Sequence, residues 1–129
     1  MSLRSIGLVK TFFAGAAISP ARLVKFDADD RTVIQGAAAA DAVIGVSDNA
    51  PISAAASGER VDVVIGGIAP VTYGGTVTRG QLLISDSTGR AITATAAAGT
   101  NVRTAGVAMV SGVVGDVGAI SLSPGSFQG

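Results

Sequence analysis

The chain has 129 residues, a formal net charge of +0 from nine basic and nine acidic side chains, and no cysteine, histidine or tryptophan. This composition excludes thiol nucleophiles, disulfides and zinc sites built from His or Cys, and it removes the commonest general base. Nucleic-acid binding and attachment to an anionic membrane are not indicated, because the charges are spread thinly and aromatic residues make up only 4% of the chain.

The length fits a single domain, since ordinary domains have roughly 100 to 150 residues. Charged residues account for only 14% of the chain, and the mean hydropathy is +0.56. No apolar run reaches the roughly 18 residues that a membrane-spanning helix needs, so the hydropathy comes from small apolar residues along the whole chain. One core of this size cannot bury all of them, which predicts a homo-oligomer, with a trimer favoured, or a component of a larger assembly.

The N-terminal segment MSLRSIGLVKTFFAGAAIS is the first predicted element. Arg4 and Lys10 precede a short apolar stretch, as in a secretory signal, and the alternative that we favour is an extended arm or strand. Phe12 and Phe13 place half of the four phenylalanines at one spot, which suits an interface anchor. We expect residues 1–17 to be ordered mainly by contact with another chain. The candidate capsid or partner contacts are Leu3, Arg4, Ile6, Leu8, Lys10, Phe12 and Phe13.

From residue 21 onward, β-branched runs bounded by Gly, Pro, Asn or Asp predict an all-β domain. The only candidate helix is GAAAADAV (36–43), of one or two turns at most, and ATAAAGT (94–100) is predicted to be a loop. The fold expected is a small compact β-barrel or β-tulip-like domain over 21–129, with 1–20 as an N-terminal arm. The predicted strands are RLVKFD (22–27), TVIQG (32–36), AVIGVSD (42–48), RVDVVIGG (60–67), APVTY (69–73), QLLISD (81–86), AITAT (91–95), VRTAGVAMV (102–110) and VGAISLS (117–123).

The stretch APVTYGGTVTRGQLLISDSTGRAI (69–92) has the residue types of an enzyme surface, but turn chemistry explains them. Pro70 can start a strand without losing a needed donor. Gly74 and Gly75 are expected to take positive φ angles in a tight reversal. SDSTGR (85–90) is predicted to be a hairpin loop in which an aspartate accepts backbone hydrogen bonds and a glycine is left-handed.

Three further patterns are more economically explained as structure. DADD (27–30) has some of the oxygen ligands of a calcium loop, but it lacks the central Gly and final Glu of such a loop, so an Asp-rich turn is favoured. GVVGDVG (112–118) lacks the Lys-Ser/Thr and the helix of a phosphate-binding loop, so it is predicted to be a turn before the last strand. Glu59 and Asp62 can be considered as a pair of catalytic carboxylates. They are three residues apart, which places them on opposite faces of a strand and keeps them from converging on one bond. The sequence therefore predicts no catalytic residue, cofactor or metal.

A weak internal similarity is also present. Gly45-Val and Gly106-Val are each followed, after a turn, by GERVDVVI (58–65) and by GDVGAISL (115–122). The two spacings differ, so an ancient duplication and the regular alternation of strands and turns in β-barrels explain the similarity equally well.

The segments ARLVKFDADDRTVIQGAAAADAVIGVSD, GERVDVVIGGIAPVTYGGTVTRGQLLISDSTGRAI and AGTNVRTAGVAMVSGVVGDVGAISLSPG resemble the small capsid cement, or head decoration, proteins of tailed bacteriophages. The resemblance runs from about Ala21 to the end of the chain. It implies a compact β fold, often trimeric, whose N-terminal arm adds a strand to the major capsid protein. It also implies a non-enzymatic protein on the outer surface of the virion head, which it braces against packaged DNA. The alternative is a β-sandwich binding module for carbohydrate or host surfaces, although such modules generally present more exposed aromatics.

Overall fold

The computed structural model describes residues 5–48, 55–96 and 98–128. These residues form nine β-strands and no helix, and none of them belongs to a helix that could cross a membrane. The prediction of a small all-β fold is therefore confirmed. The strands are β1 (Ser5–Ala14), β2 (Leu23–Phe26), β3 (Thr32–Gln35), β4 (Val43–Ser47), β5 (Arg60–Thr72), β6 (Leu82–Ser85), β7 (Ala91–Thr93), β8 (Asn101–Ala108) and β9 (Val117–Gln128).

The first five strands close into a barrel. The sheet order is β1-β3-β2-β4-β5-β9-β8-β6-β7, and β1 also pairs with β5. The β1–β5 pairing is antiparallel and extends from Ser5 to Phe13 on β1. β1 is parallel to β3 and pairs with it through Phe13 and Ala14. These two pairings join the ends of the first half of the sheet.

The second half repeats this arrangement and shares β5 with the first. β6 pairs with β7 and β8, and β8 pairs with β9, just as β2 pairs with β3 and β4, and β4 with β5. The last part of β5 pairs with β9, and an isolated parallel bridge joins Tyr73 to Ala91 at the start of β7. The end of β5 therefore connects β9 with β7 in the second half, as β1 connects β5 with β3 in the first.

Matched hydrogen bonds show that the internal similarity is a structural repeat. Ile18 and Ala55 exchange two backbone hydrogen bonds of 2.9 Å, and so do Val77 and Gly112. Both halves thus use the same bridge to fix the chain before their second strand. The resemblance found around Gly45 and Gly106 is one part of this longer repeat.

β5 corrects two strand predictions. Residues 60–67 and 69–73, expected to be separate strands, form one strand, because Gly67 with φ of 87° lies where the pairing with β1 shifts register. This glycine lets the strand bulge without ending.

Pro70 also lies inside β5 and pairs with Ala119 on β9. The N–H of Tyr73 donates to the carbonyl of Asp116, just before β9. By the alternation of a strand, the nitrogen of Pro70, which has no hydrogen, points to the opposite edge, where the pairing with β9 loses no donor.

The core consists of two clusters, one centred in each half. Phe12, Val24 and Val61 are 3% exposed or less in the first. Tyr73 is the largest fully buried side chain and belongs to the second, which also takes in Leu23 from the first half. A backbone hydrogen bond of 2.7 Å from the N–H of Leu23 to the carbonyl of Gly89 ties the halves together.

Two loops differ in how well they were predicted. The Ala-rich stretch 36–43 forms a turn, because the Asp41 carboxylate accepts the N–H groups of Ala37 and Ala38 at 2.7 and 2.9 Å. The 85–90 hairpin is confirmed. Gly89 has φ of 76°, and the Asp86 carboxylate accepts backbone N–H groups of the loop.

Neither Gly74 nor Gly75 has a positive φ, so their predicted role in a left-handed reversal is wrong. Gly74 is required for another reason, because a Cβ there would collide with the Asp86 carboxylate.

Candidate partner-binding surface

β1 carries most of the residues that the sequence nominated for partner contact. Leu3 and Arg4 lie outside the described residues, and for Ile6 the structure describes the backbone, which pairs with Gly67. Leu8 is 58% exposed and Phe13 is 41% exposed. Both are therefore available to a partner.

Phe12 faces the other way. It is only 3% exposed and packs in the core with Val24, Val33 and Val61. Because β1 completes the barrel, its residues are held by β5 and β3 of the same chain. The expectation that residues 1–17 are ordered mainly by another chain is therefore wrong for residues 5–14.

Polar and aromatic contacts hold side chains on both faces of β1. The Lys10 ammonium lies 5.1 Å from the centroid of the Phe12 ring. The rings of Phe12 and Phe26 meet edge to face, with centroids 5.8 Å apart and an interplanar angle of 76°. The Thr11 hydroxyl donates to Asp62 at 2.7 Å. A partner would meet a surface that is already in place before binding.

The outer edge of β1 offers backbone groups as well as side chains. β3 pairs with β1 only through Phe13 and Ala14. Over the rest of β1, the edge turned away from β5 has no strand partner among the described residues. Such an edge is a template for a strand from another chain.

A groove of about 530 Å³ separates the first barrel from the β8–β9 ribbon. Two cations, Lys25 and Arg103, line it, and Lys25 is paired with Asp41 at 3.0 Å. Burial raises the pKa of Asp41, but the N–H groups of Ala37 and Ala38 and the Lys25 ammonium outweigh it, and the net pKa is lowered. The remaining lining residues are Phe26, Ala42, Val43, Ile44 and Pro124.

Sequence reasoning missed this groove because its walls come from four separated strands or loops. No local spacing connects Lys25 with Arg103 or Pro124, so only the pairing of β2 with β4 and the length of β9 bring them together.

The carboxylates weighed as chemical sites are occupied in turns and strand contacts. Asp29 accepts the N–H of Arg31 at 2.9 Å, and Glu59 accepts that of Ala56 at 2.6 Å. Asp62, expected on the opposite face from Glu59, bonds to β1. Among the described residues, no group of three or more carboxylates is placed to hold a metal ion.

No protein-family model matches the chain, and no curated protein matches it. Among solved structures, the chain is similar to the head fiber gp8.5 N base of bacteriophage phi29, with a TM-score of 0.66 and 18% sequence identity. The alignment covers 90% of this chain and 93% of that one. The two chains therefore share a fold over nearly their whole length.

Proposed function

We propose that this chain is a structural protein of a bacteriophage head, and more narrowly a decoration or cement protein that binds the outside of the assembled shell. One observation carries the proposal: the fold is shared, end to end, with the N base of a head fiber. The resemblance of residues 21–129 to phage decoration proteins points to the same particle.

The proposed role needs attachment and no chemical turnover. The exposed side chains Leu8 and Phe13, together with the unpartnered edge of β1, supply an apolar contact and a site for strand pairing. The proposed partners are the major capsid protein and further copies of this chain in a homo-oligomer, with a trimer favoured. No nucleic acid, membrane or cofactor is part of the proposal.

The mechanism is mass-action linkage. A protein that binds the closed shell, but not the separated capsid subunits, stabilises the closed shell by an amount that grows with its concentration and affinity. An oligomer that bridges neighbouring subunits adds this stabilisation at every site. The shell then better resists heat and the pressure of packaged DNA.

Binding is the first test. Heads assembled from the capsid protein of the phage or prophage that encodes this chain should co-sediment with it, whereas unassembled capsid subunits should not. Light scattering of the free protein reports its oligomeric state. Failure to co-sediment with heads would refute the role.

Stabilisation is the second test. Heads carrying the protein should melt at a higher temperature than bare heads, by calorimetry at equal capsid concentration. Heads mixed with heat-unfolded protein are the control. Identical melting temperatures for bare and decorated heads would contradict the cement role while leaving head attachment intact.

A further inference from the structure

The loop between β8 and β9, together with the first residue of β9, exposes four large apolar side chains within a short distance along the chain. Met109 is 45% exposed, Val113 54%, Val114 59% and Val117 54%. We call these four residues the apolar tip. The sequence prediction placed Met109 and Val117 in strands and Val113 and Val114 in a turn, and none of the four was nominated for contact.

The internal repeat provides a reference for what this turn requires. In the first half, the N–H of Gly58 is donated to Ala14 at 2.7 Å, and in the second half that of Gly115 is donated to Tyr73 at 2.9 Å. Gly58 and Gly115 have φ angles of 86° and 87°. The two turns therefore have the same backbone.

The side chains that close the two turns also match. The Glu59 carboxylate accepts the N–H of Ala56 at 2.6 Å, and the Asp116 carboxylate accepts that of Val113 at 2.9 Å. The turn is thus built by its glycine and its carboxylate in both halves.

At three of the four tip positions, the matched residue of the first half is smaller or charged. Where the second half has Val113, Val114 and Val117, the first half has Ala56, Ser57 and Arg60 at the matched positions. Since small and charged residues form the same turn, the large apolar side chains are not needed for folding. Leaving them in water is unfavourable, so they point to a contact with another molecule.

The two turns lie at opposite ends of β5. The first directly precedes Arg60, and the second is bonded to Tyr73, just after Thr72. β5 has 13 residues, which separates the turns by about 40 Å along the strand at roughly 3.3 Å per residue. The polar turn of the first half and the apolar tip therefore lie at opposite ends of β5.

The polar groups at the rim of the apolar tip are hydrogen-bonded within the chain. The Asp116 carboxylate accepts a hydrogen bond within its own turn, and Arg79 donates from its backbone and its guanidinium to the Ser111 hydroxyl at 3.0 and 3.3 Å. An apolar patch with a polar rim is the usual anatomy of a protein–protein interface.

We propose that the apolar tip seats the molecule end-on upon the outer surface of the head shell, at an apolar site. This inference rests on the proposed function. The four part-exposed side chains form a small contact beside the roughly 800 Å² per partner of a standard stable pair. A contact between two copies through this tip alone is therefore too small, whereas an oligomer presenting several tips to one shell gains from multivalency.

The test replaces the tip by the residues of the first half. The variant Val113→Ala, Val114→Ser, Val117→Arg should bind heads of the encoding phage at least about tenfold more weakly than the wild type. Its melting temperature and sedimentation should be unchanged, because the first half shows that these residues suit the turn. Ser57→Ala, in the matched turn of the first half, is the control and should bind like the wild type.

Other outcomes separate the hypotheses. Wild-type protein that does not bind heads would refute the proposed function and the docking partner together. Wild-type binding that the triple variant retains in full would overturn only the role of the tip. Retained head binding with loss of self-association would overturn it as well and assign the tip to contacts between copies. If the triple variant fails to fold, Val114→Ser alone is measured against the same two outcomes.

Discussion

At the residue scale, Asp86 shows how one carboxylate fixes a hairpin. Its Oδ1 accepts the N–H groups of Thr88 and Arg90, both at 2.9 Å, and its Oδ2 pairs with the Arg90 guanidinium at 3.0 Å. This use of an aspartate was predictable, because its partners follow directly in sequence. The dependence of Gly74 on Asp86 was not, because the chain must turn back before the two meet.

Gly74→Ala should destabilise the protein. A Cβ at Gly74 meets the Asp86 carboxylate and comes within 3.1 Å of the Arg90 Cβ, so the network must shift, at a cost of about 1–3 kcal/mol. Gly75→Ala is the control, because its Cβ would lie 3.7 Å from Ile92, an ordinary contact. Urea unfolding of both variants measures the difference, and equal stability of the two would contradict the predicted collision.

The pH dependence of stability offers a second test at Asp86. Burial raises the pKa of this carboxyl, but the N–H groups of Thr88 and Arg90 and the Arg90 charge outweigh it, so the folded pKa lies below the ordinary 3.8. The carboxylate therefore stabilises the fold fully above that ordinary pKa, and its contribution is lost as the pH falls through the lower folded pKa.

Asp86→Asn should accordingly cost about 1–3 kcal/mol near neutral pH. The difference from the wild type should shrink in strong acid. Urea unfolding across this pH range measures it, with Asp30→Asn at an exposed carboxylate as the control. A difference that stays constant from neutral pH to strong acid would show that the charge of Asp86 is not what the hairpin uses.

At the scale of elements, strands with their own turn signals were predictable and long shared strands were not. Each end of β2, β3, β4, β6 and β7 lies within two residues of the sequence prediction, because β-branched runs and flanking Gly or Asp are local features. The lengths of β1 and β5 depend on each other, since the pairing partner rather than the sequence pattern decides that Gly66 and Gly67 continue the strand. The repeat was only partly visible for a similar reason, because hydrogen bonds match where side chains have diverged.

β1 gives the prediction that separates a barrel strand from a free arm. Phe12→Ala should cost about 3–5 kcal/mol because its ring fills the first core cluster. Phe13→Ala, at a 41% exposed neighbour, should cost about 1 kcal/mol. Thermal unfolding of the two variants measures this. Small and equal losses would mean that β1 does not belong to its own barrel, and would restore the arm held by another chain.

At the scale of the whole molecule, the repeat places two related halves along β5, with the apolar tip at one end of that strand. The charge-poor composition predicted that the protein binds a partner, but it did not locate the binding surface. Met109 and Val117 look like any other apolar residues in the sequence. Their exposure depends on the turn that carries them. The comparison between halves then distinguishes the apolar tip from the matched turn of the first half.

Head binding should therefore depend little on salt. The tip residues are apolar, and the strand edge of β1 contributes backbone hydrogen bonds, so moderate salt screens almost nothing in the proposed contact. Co-sedimentation with heads at low and moderate ionic strength measures this, with Arg103→Ala as a companion variant. Binding that moderate salt abolishes, and that Arg103→Ala also weakens, would transfer the contact from the apolar tip to the cationic groove. Binding that persists in salt and is lost only when Val113 and Val114 are replaced would establish apolar burial as the force that holds the protein to its shell.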